Sequence, residues 1–115
     1  MTEAEGCALL LAKFTEAGYA IAPDFQFREG DIEVDLDGWD ASARVGYEYI
    51  TREAGDHKQF DARTLGLFEE RMMKGELFVL LVDEQEAVTR EALAAAAAGF
   101  LDEVAKARGA QGSAT

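Results

Sequence analysis

Residues 77–82 read LFVLLV, apolar at every position. The run is shorter than an ordinary helix and lacks the alternation of a strand with one wet face. It fits a strand buried on both faces, typically central in its sheet and often parallel to a neighbour. A parallel neighbour requires a crossover connection, usually a helix, so the rest of the chain has to supply both.

Strand signals precede it. Phe25 and Phe27 alternate with Gln26 and Arg28, and Glu29-Gly30 reads as a tight turn. Ile32, Val34 and Leu36 alternate with Glu33, Asp35 and Asp37. A period of two sends the apolar trio to one face and the acids to the other. Gly38 opens a loop, GWDASA, and strand character resumes from Arg44 to Ile50. There Val45, Tyr47 and Tyr49 share one face, and Gly46, Glu48 and Ile50 the other. Short connections make these three strands an antiparallel meander. Thr2 and Glu5 have capping-box spacing ahead of a helix over about 3–17, with Cys7, Leu10, Leu11, Phe14 and Ala17 as its apolar face and Gly18 as its stop. Asp56 and Gln59 can cap a second helix over about 57–73, which lines up Phe60, Thr64, Leu67, Phe68 and Met72 and ends at Gly75. Thr89 caps a third, running to about Ala107, with Leu93, Ala97, Phe100, Leu101 and Val104 as its stripe. The expectation is a single α+β domain over residues 1–108, in the order α-β-β-β-α-β-α. It combines an antiparallel meander with one buried crossover strand, and the helices pack on one sheet face. GAQGSAT, residues 109–115, reads as a disordered tail.

Charge narrows the partners. The chain carries 23 Asp plus Glu against 11 Lys plus Arg, a formal net charge of −12. Phosphate binding needs cations, so nucleic acid and anionic lipid are repelled, whereas basic proteins and divalent cations are attracted. No apolar run is long enough to span a bilayer, and no basic segment precedes an apolar one as a signal peptide requires. Cys7 is the single cysteine, which rules out an internal disulfide and fits a reducing cytoplasm. Abundant alanine and glycine with little isoleucine or lysine points to a GC-rich bacterial genome.

The acids concentrate in DIEVDLDGWD, residues 31–40. Like charges two residues apart on one strand face repel, and a cationic partner relieves that cost. Glu33, Asp35 and Asp37 therefore form a docking face for a basic protein, with Asp40 beside them. Trp39 in the adjoining loop either anchors that interface or folds back to cap the core. Alternatively, if the loop closes a hairpin, Asp35, Asp37 and Glu48 offer oxygen ligands for Mg²⁺ or Mn²⁺. DLDGWD lacks the spacing and terminal Glu of an EF-hand loop. His57, the one histidine, reads as a helix-start residue, and Cys7 as a small core residue. Glycine-rich phosphate loops, CxxC, HExxH and GxSxG do not occur.

The element order α-β-β-β-α-β, over residues 3 to about 82, resembles the core of the PD-(D/E)xK nuclease-like superfamily. That resemblance implies a divalent metal held by Asp35 or Asp37 together with Glu48, and a lysine two residues after the latter. Here the triplet reads Glu48-Tyr49-Ile50, so isoleucine stands in the lysine's place, and Lys58 comes eight residues further on. The missing lysine and the net charge favour binding over catalysis. The chain reads as a non-catalytic acidic protein that docks a basic protein partner, immunity-like or regulatory, without a cofactor. The alternative is a metal-dependent phosphodiesterase using Asp35, Asp37 and Glu48. A third reading is a structural subunit that self-associates through its sheet edge.

Overall fold

Thr2 and Glu5 form the expected capping box, each side chain accepting from the other's backbone N–H, and open helix α1 (Glu3–Glu16). Gly18, at φ +100°, ends it: its N–H donates to the Thr15 carbonyl and that of Tyr19 to the Phe14 carbonyl. This double turn-back satisfies carbonyls the helix leaves open. The computed structural model describes residues 1–52 and 59–113.

The sheet follows. Strands β1 (Ala22–Glu29) and β2 (Ile32–Asp40) form an antiparallel hairpin around Gly30 and Asp31. Gly30, at φ +58°, takes the left-handed position of that turn. Strand β3 (Val45–Ile50) pairs antiparallel with β2, but only through Gly38–Tyr47, Trp39–Gly46 and Asp40–Val45. Helix α2 (Ala62–Met73) then carries the chain over to β4 (Phe78–Asp83), which runs parallel to β3. Asp61 caps α2, its carboxylate accepting from Thr64 N at 2.9 Å. Asp56, His57 and Lys58 lie outside the described residues. Thr89 caps helix α3 (Arg90–Ser113), its hydroxyl accepting from Ala92 N at 3.1 Å. The α3 helix continues past the expected end near Ala107, into the segment read from sequence as a tail.

The fold is α+β in the expected element order, with two corrections. The strand order is β1-β2-β3-β4, so the apolar run occupies an edge and not the centre. Its two-sided apolar character reflects cover above and below, a matter of layers and not of lateral position. Accordingly, the helices do not share one face. Leu10 and Phe14 of α1 and Leu93, Ala97 and Val104 of α3 pack with Val45, Tyr47, Tyr49 and Val82. On the opposite face Phe68 of α2, with Phe60, packs with Phe27, Ile32, Val34, Leu36, Trp39, Ile50 and Val79. Two cores thus sandwich one sheet, and each contributes its own hydrophobic burial to stability.

Strand β2 also runs three residues further than its pattern implies. Gly38 does not open a loop. A Cβ there would collide with the Tyr47 ring and with Ile21, so glycine is what lets the ring lie flat against the strand. The alternation slips at this point. Ile32, Val34 and Leu36 enter the α2 core, and the next residue to do so is Trp39, three positions on instead of two. Asp24, at φ +50° on β1, stands between the pairs Pro23–Gly38 and Phe25–Leu36, opposite Asp37, so both strands are irregular at one level.

Candidate functional site: an acidic groove between α1 and the hairpin

Beyond Gly38–Tyr47 the backbones of β2 and β3 part, and side chains take over the role of the ladder. Glu48 Oε1 accepts from Asp37 N at 2.8 Å, and Asp37 Oδ2 accepts from Tyr49 N at 2.8 Å. Asp35 N donates to Gln59 Oε1 at 2.9 Å, while Gln59 Nε2 donates back to Asp35 Oδ2 at 3.2 Å. The bonds from Asp37 N, Tyr49 N and Asp35 N each give an acceptor to a main-chain donor that would otherwise face a widening gap between strands. Glu48 is only 1% exposed, which a carboxylate tolerates when it is hydrogen-bonded.

On the α1 side of this gap lies a groove of about 470 Å³, lined by Glu3, Cys7, Leu11, Pro23, Asp24, Asp37 and Tyr47 together with two alanines of α1. Glu3 and Cys7 are one helical turn apart and so face β2 together. Ligand atoms of Glu3, Cys7 and Asp37 lie within 4.8 Å of one another, and among the described residues they are the trio that does so. Glu3 also accepts from Thr51 Oγ1 at 2.8 Å. Burial pushes the Cys7 thiol well above its ordinary range, and the Asp37 carboxylate beside it, which accepts its hydrogen bond, pushes further. The thiol is therefore protonated at neutral pH and a poor nucleophile. Burial likewise raises the Tyr47 hydroxyl, with Cys7, Asp37 and Asp24 adding to it. Carboxylates over an apolar floor can accept hydrogen bonds from a cationic group whose aliphatic stem lies on Leu11 and Pro23.

The sequence-derived candidates divide into three sets. Glu33 and Asp35 are exposed on the face where α1 and α3 cover β3 and β4 but leave the hairpin bare. Glu33 lies 3.7 Å from Arg28 of β1, an ion pair with both side chains mostly in water. Asp37 and Glu48 are brought together, but Asp35 turns to Gln59, so Asp35, Asp37 and Glu48 do not gather as one ligand set. Trp39 and Asp40 leave the docking face altogether. Trp39 is 2% exposed and packs edge-on against Phe27, with ring centroids 5.1 Å apart. Asp40 is 7% exposed and holds the β2–β3 turn, accepting from Ser42 N and Ala43 N at 3.0 Å and from Ala20 N at 2.9 Å. Those backbone donors, Ala43 foremost, hold its carboxyl below the usual carboxylate range.

Sequence reasoning missed Glu3 and Asp24 as groove residues. Glu3 lies in the first turn of α1, and nothing local in the sequence shows that α1 lies against β2 at that point. No helix among the described residues is long and apolar enough to cross a membrane. No protein-family model matches the chain, and neither the curated proteins nor the solved structures compared with it give a match.

Proposed function

We propose that this chain is a non-catalytic binding protein that docks a basic protein partner through the acidic side of its β1–β2 hairpin. One observation carries the reading: Glu33 and Asp35 stand in water on a bare half-sheet that runs directly into a groove edged by Glu3, Asp24 and Asp37. A lysine or arginine entering there lays its aliphatic stem on Leu11 and Pro23 and its charge among the carboxylates. Immunity proteins against nucleases share this physical character, since acidic surfaces occlude sites built for phosphate. A cytoplasmic, bacterial setting agrees with the lone thiol and the composition.

The phosphodiesterase alternative has less support. Asp35 is committed to Gln59, and Ile50, at the lysine's place, packs in the α2 core. Two titrations separate the readings. With an arginine-rich peptide as probe, amide shifts should concentrate on residues 3–11, 23–24 and 33–37 and fade with added salt, because exposed charges are screened over about 10 Å at 0.1 M. Shifts scattered equally over the acids of α2 and α3 would mean non-specific attraction and defeat the proposal. Calorimetric titration with Mn²⁺ should show no saturable micromolar site; one abolished by Glu48→Gln would favour the alternative.

A further inference from the structure

The two edges of the sheet are unlike. β1 is guarded: Pro23 offers no N–H, Asp24 kinks the strand, and Arg28 and Glu29 add charge. β4, with sequence FVLLVD, has no such device before Asp83. Phe78 N donates to Arg44 O and Glu84 N to Ile50 O, at 3.0 and 2.9 Å, which fixes the parity of the parallel ladder. Even-numbered residues of β4 therefore bond to β3, while Val79 and Leu81 turn N–H and C=O outward. No fifth strand among the described residues covers that side, and Phe78, Leu80 and Leu81 remain partly exposed.

We propose that β4 pairs antiparallel with β4 of a second copy, joining two four-stranded sheets into one. The outward groups set the register. Val79 and Leu81 of one copy exchange both hydrogen bonds with Leu81 and Val79 of the other, about a two-fold axis at Leu80. Such closed two-fold pairing is the commonest form of self-association.

Charge complementarity selects a second copy as the occupant. The guanidinium of Arg108 lies 5.0 Å over the Phe78 ring, at the start of β4, and its buried Nε has no hydrogen-bond partner among the described residues. Glu84 follows the far end of the strand, on the side of Phe78, Leu80 and Val82. The two-fold brings the beginning of one strand beside the end of the other. It thus sets each Arg108 near Glu84 of the second copy, twice per dimer. No charged side chain lies between Leu77 and Val82, but at each end of the paired strands the same register sets Glu76 opposite Glu84 of the second copy, so each Arg108 has two acids to offset.

Light scattering after size exclusion, over a concentration series reaching hundreds of micromolar, tests this on the full chain. The expected mass is twice the 12.5 kDa of one chain. Leu81→Pro removes an outward N–H but no bond to β3, so it should give a folded monomer. Arg108→Glu sets three acids together at each end and should weaken the dimer several-fold, and adding Glu84→Arg should restore it. A monomeric wild type at every concentration overturns the proposal, as does a folded Leu81→Pro that still dimerises. If Leu81→Pro fails to fold, the reversal set decides: rescue supports the pairing, and an Arg108→Glu protein that dimerises as wild type refutes it.

Discussion

Asp40→Ala tests whether the acids of DIEVDLDGWD do one job or two. The Asp40 carboxylate accepts from three backbone N–H groups, those of Ala20, Ser42 and Ala43. Alanine removes all three bonds at once. A hydrogen bond to a charged group is worth roughly 1.5–3 kcal/mol, and one between neutral groups about 1 kcal/mol. Because Ala20 and Ser42 are exposed, water can reach their freed N–H groups, and the lower figure applies. The loss is therefore about 3 kcal/mol, or on the order of 10 °C in Tm for a domain of this size. Asparagine keeps one acceptor oxygen and should lose about half as much. Urea denaturation followed by circular dichroism measures both. The pH dependence supplies a second check with a definite sign. The folded carboxyl lies below its ordinary value of 3.8, so its contribution is complete above that value and disappears as pH falls through the lowered one. Asp40→Ala should thus narrow its deficit against wild type in strong acid. An Asp40→Ala protein within about 0.5 kcal/mol of wild type at neutral pH would refute this account of the turn.

Other substitutions probe the remaining features. Glu33→Gln with Asp35→Asn should change stability by less than about 0.5 kcal/mol, because the Arg28 and Gln59 contacts they loosen are exposed; a larger change in a chemical melt would mean that these acids hold the fold. Gly46→Ala should cost about 2–3 kcal/mol, since its Cβ would land on the Gly38 carbonyl oxygen and the Trp39 ring, and neutral behaviour in the same melt would contradict the close approach of β2 and β3. Cys7 should react slowly with a thiol reagent in native, mildly alkaline buffer and quickly in denaturant, and Asp37→Ala should speed the native reaction by removing the neighbouring negative charge. Equal native rates with and without Asp37 would dissociate the thiol from the carboxylate.

Much of this architecture was legible in the chain because its signals are local. Capping residues marked α1 and α3, and strict alternation at 32–36 fixed which side chains enter a core. What escaped depends on contacts between distant residues. Alternation says that Ile32, Val34 and Leu36 share a face, but not which helix meets it, so α2 was placed on the wrong side. A two-sided apolar strand reads the same at an edge as at the centre. Gly38 resembled a loop because glycine often breaks strands, yet here it makes room for the Tyr47 ring, a residue nine positions away. The slip after Leu36 is equally non-local: it turns Trp39 into the core, the second of the two places the sequence left open for it, and takes Asp40 off the docking face into the β2–β3 turn. Of the candidate site, Asp37 and its two neighbours on the strand were visible, whereas Asp24 joins them through the β1–β2 pairing, and Glu3 and Cys7 only once α1 is docked.

The three-pair junction between β2 and β3 has a bearing on how the chain acquires its structure. The hairpin of β1 and β2 closes over a two-residue turn and needs only neighbouring sequence, an event of microseconds. The β3–α2–β4 unit must close a long loop before its parallel pairing is rewarded. With so little backbone pairing between the two, the hairpin can fray or form with small effect on β3 and β4, and the sheet behaves as two kinetic units fastened late. Asp37, Glu48 and Gln59 sit at that fastening, so their side chains record when the halves come together. Substitutions there should speed unfolding far more than they slow folding.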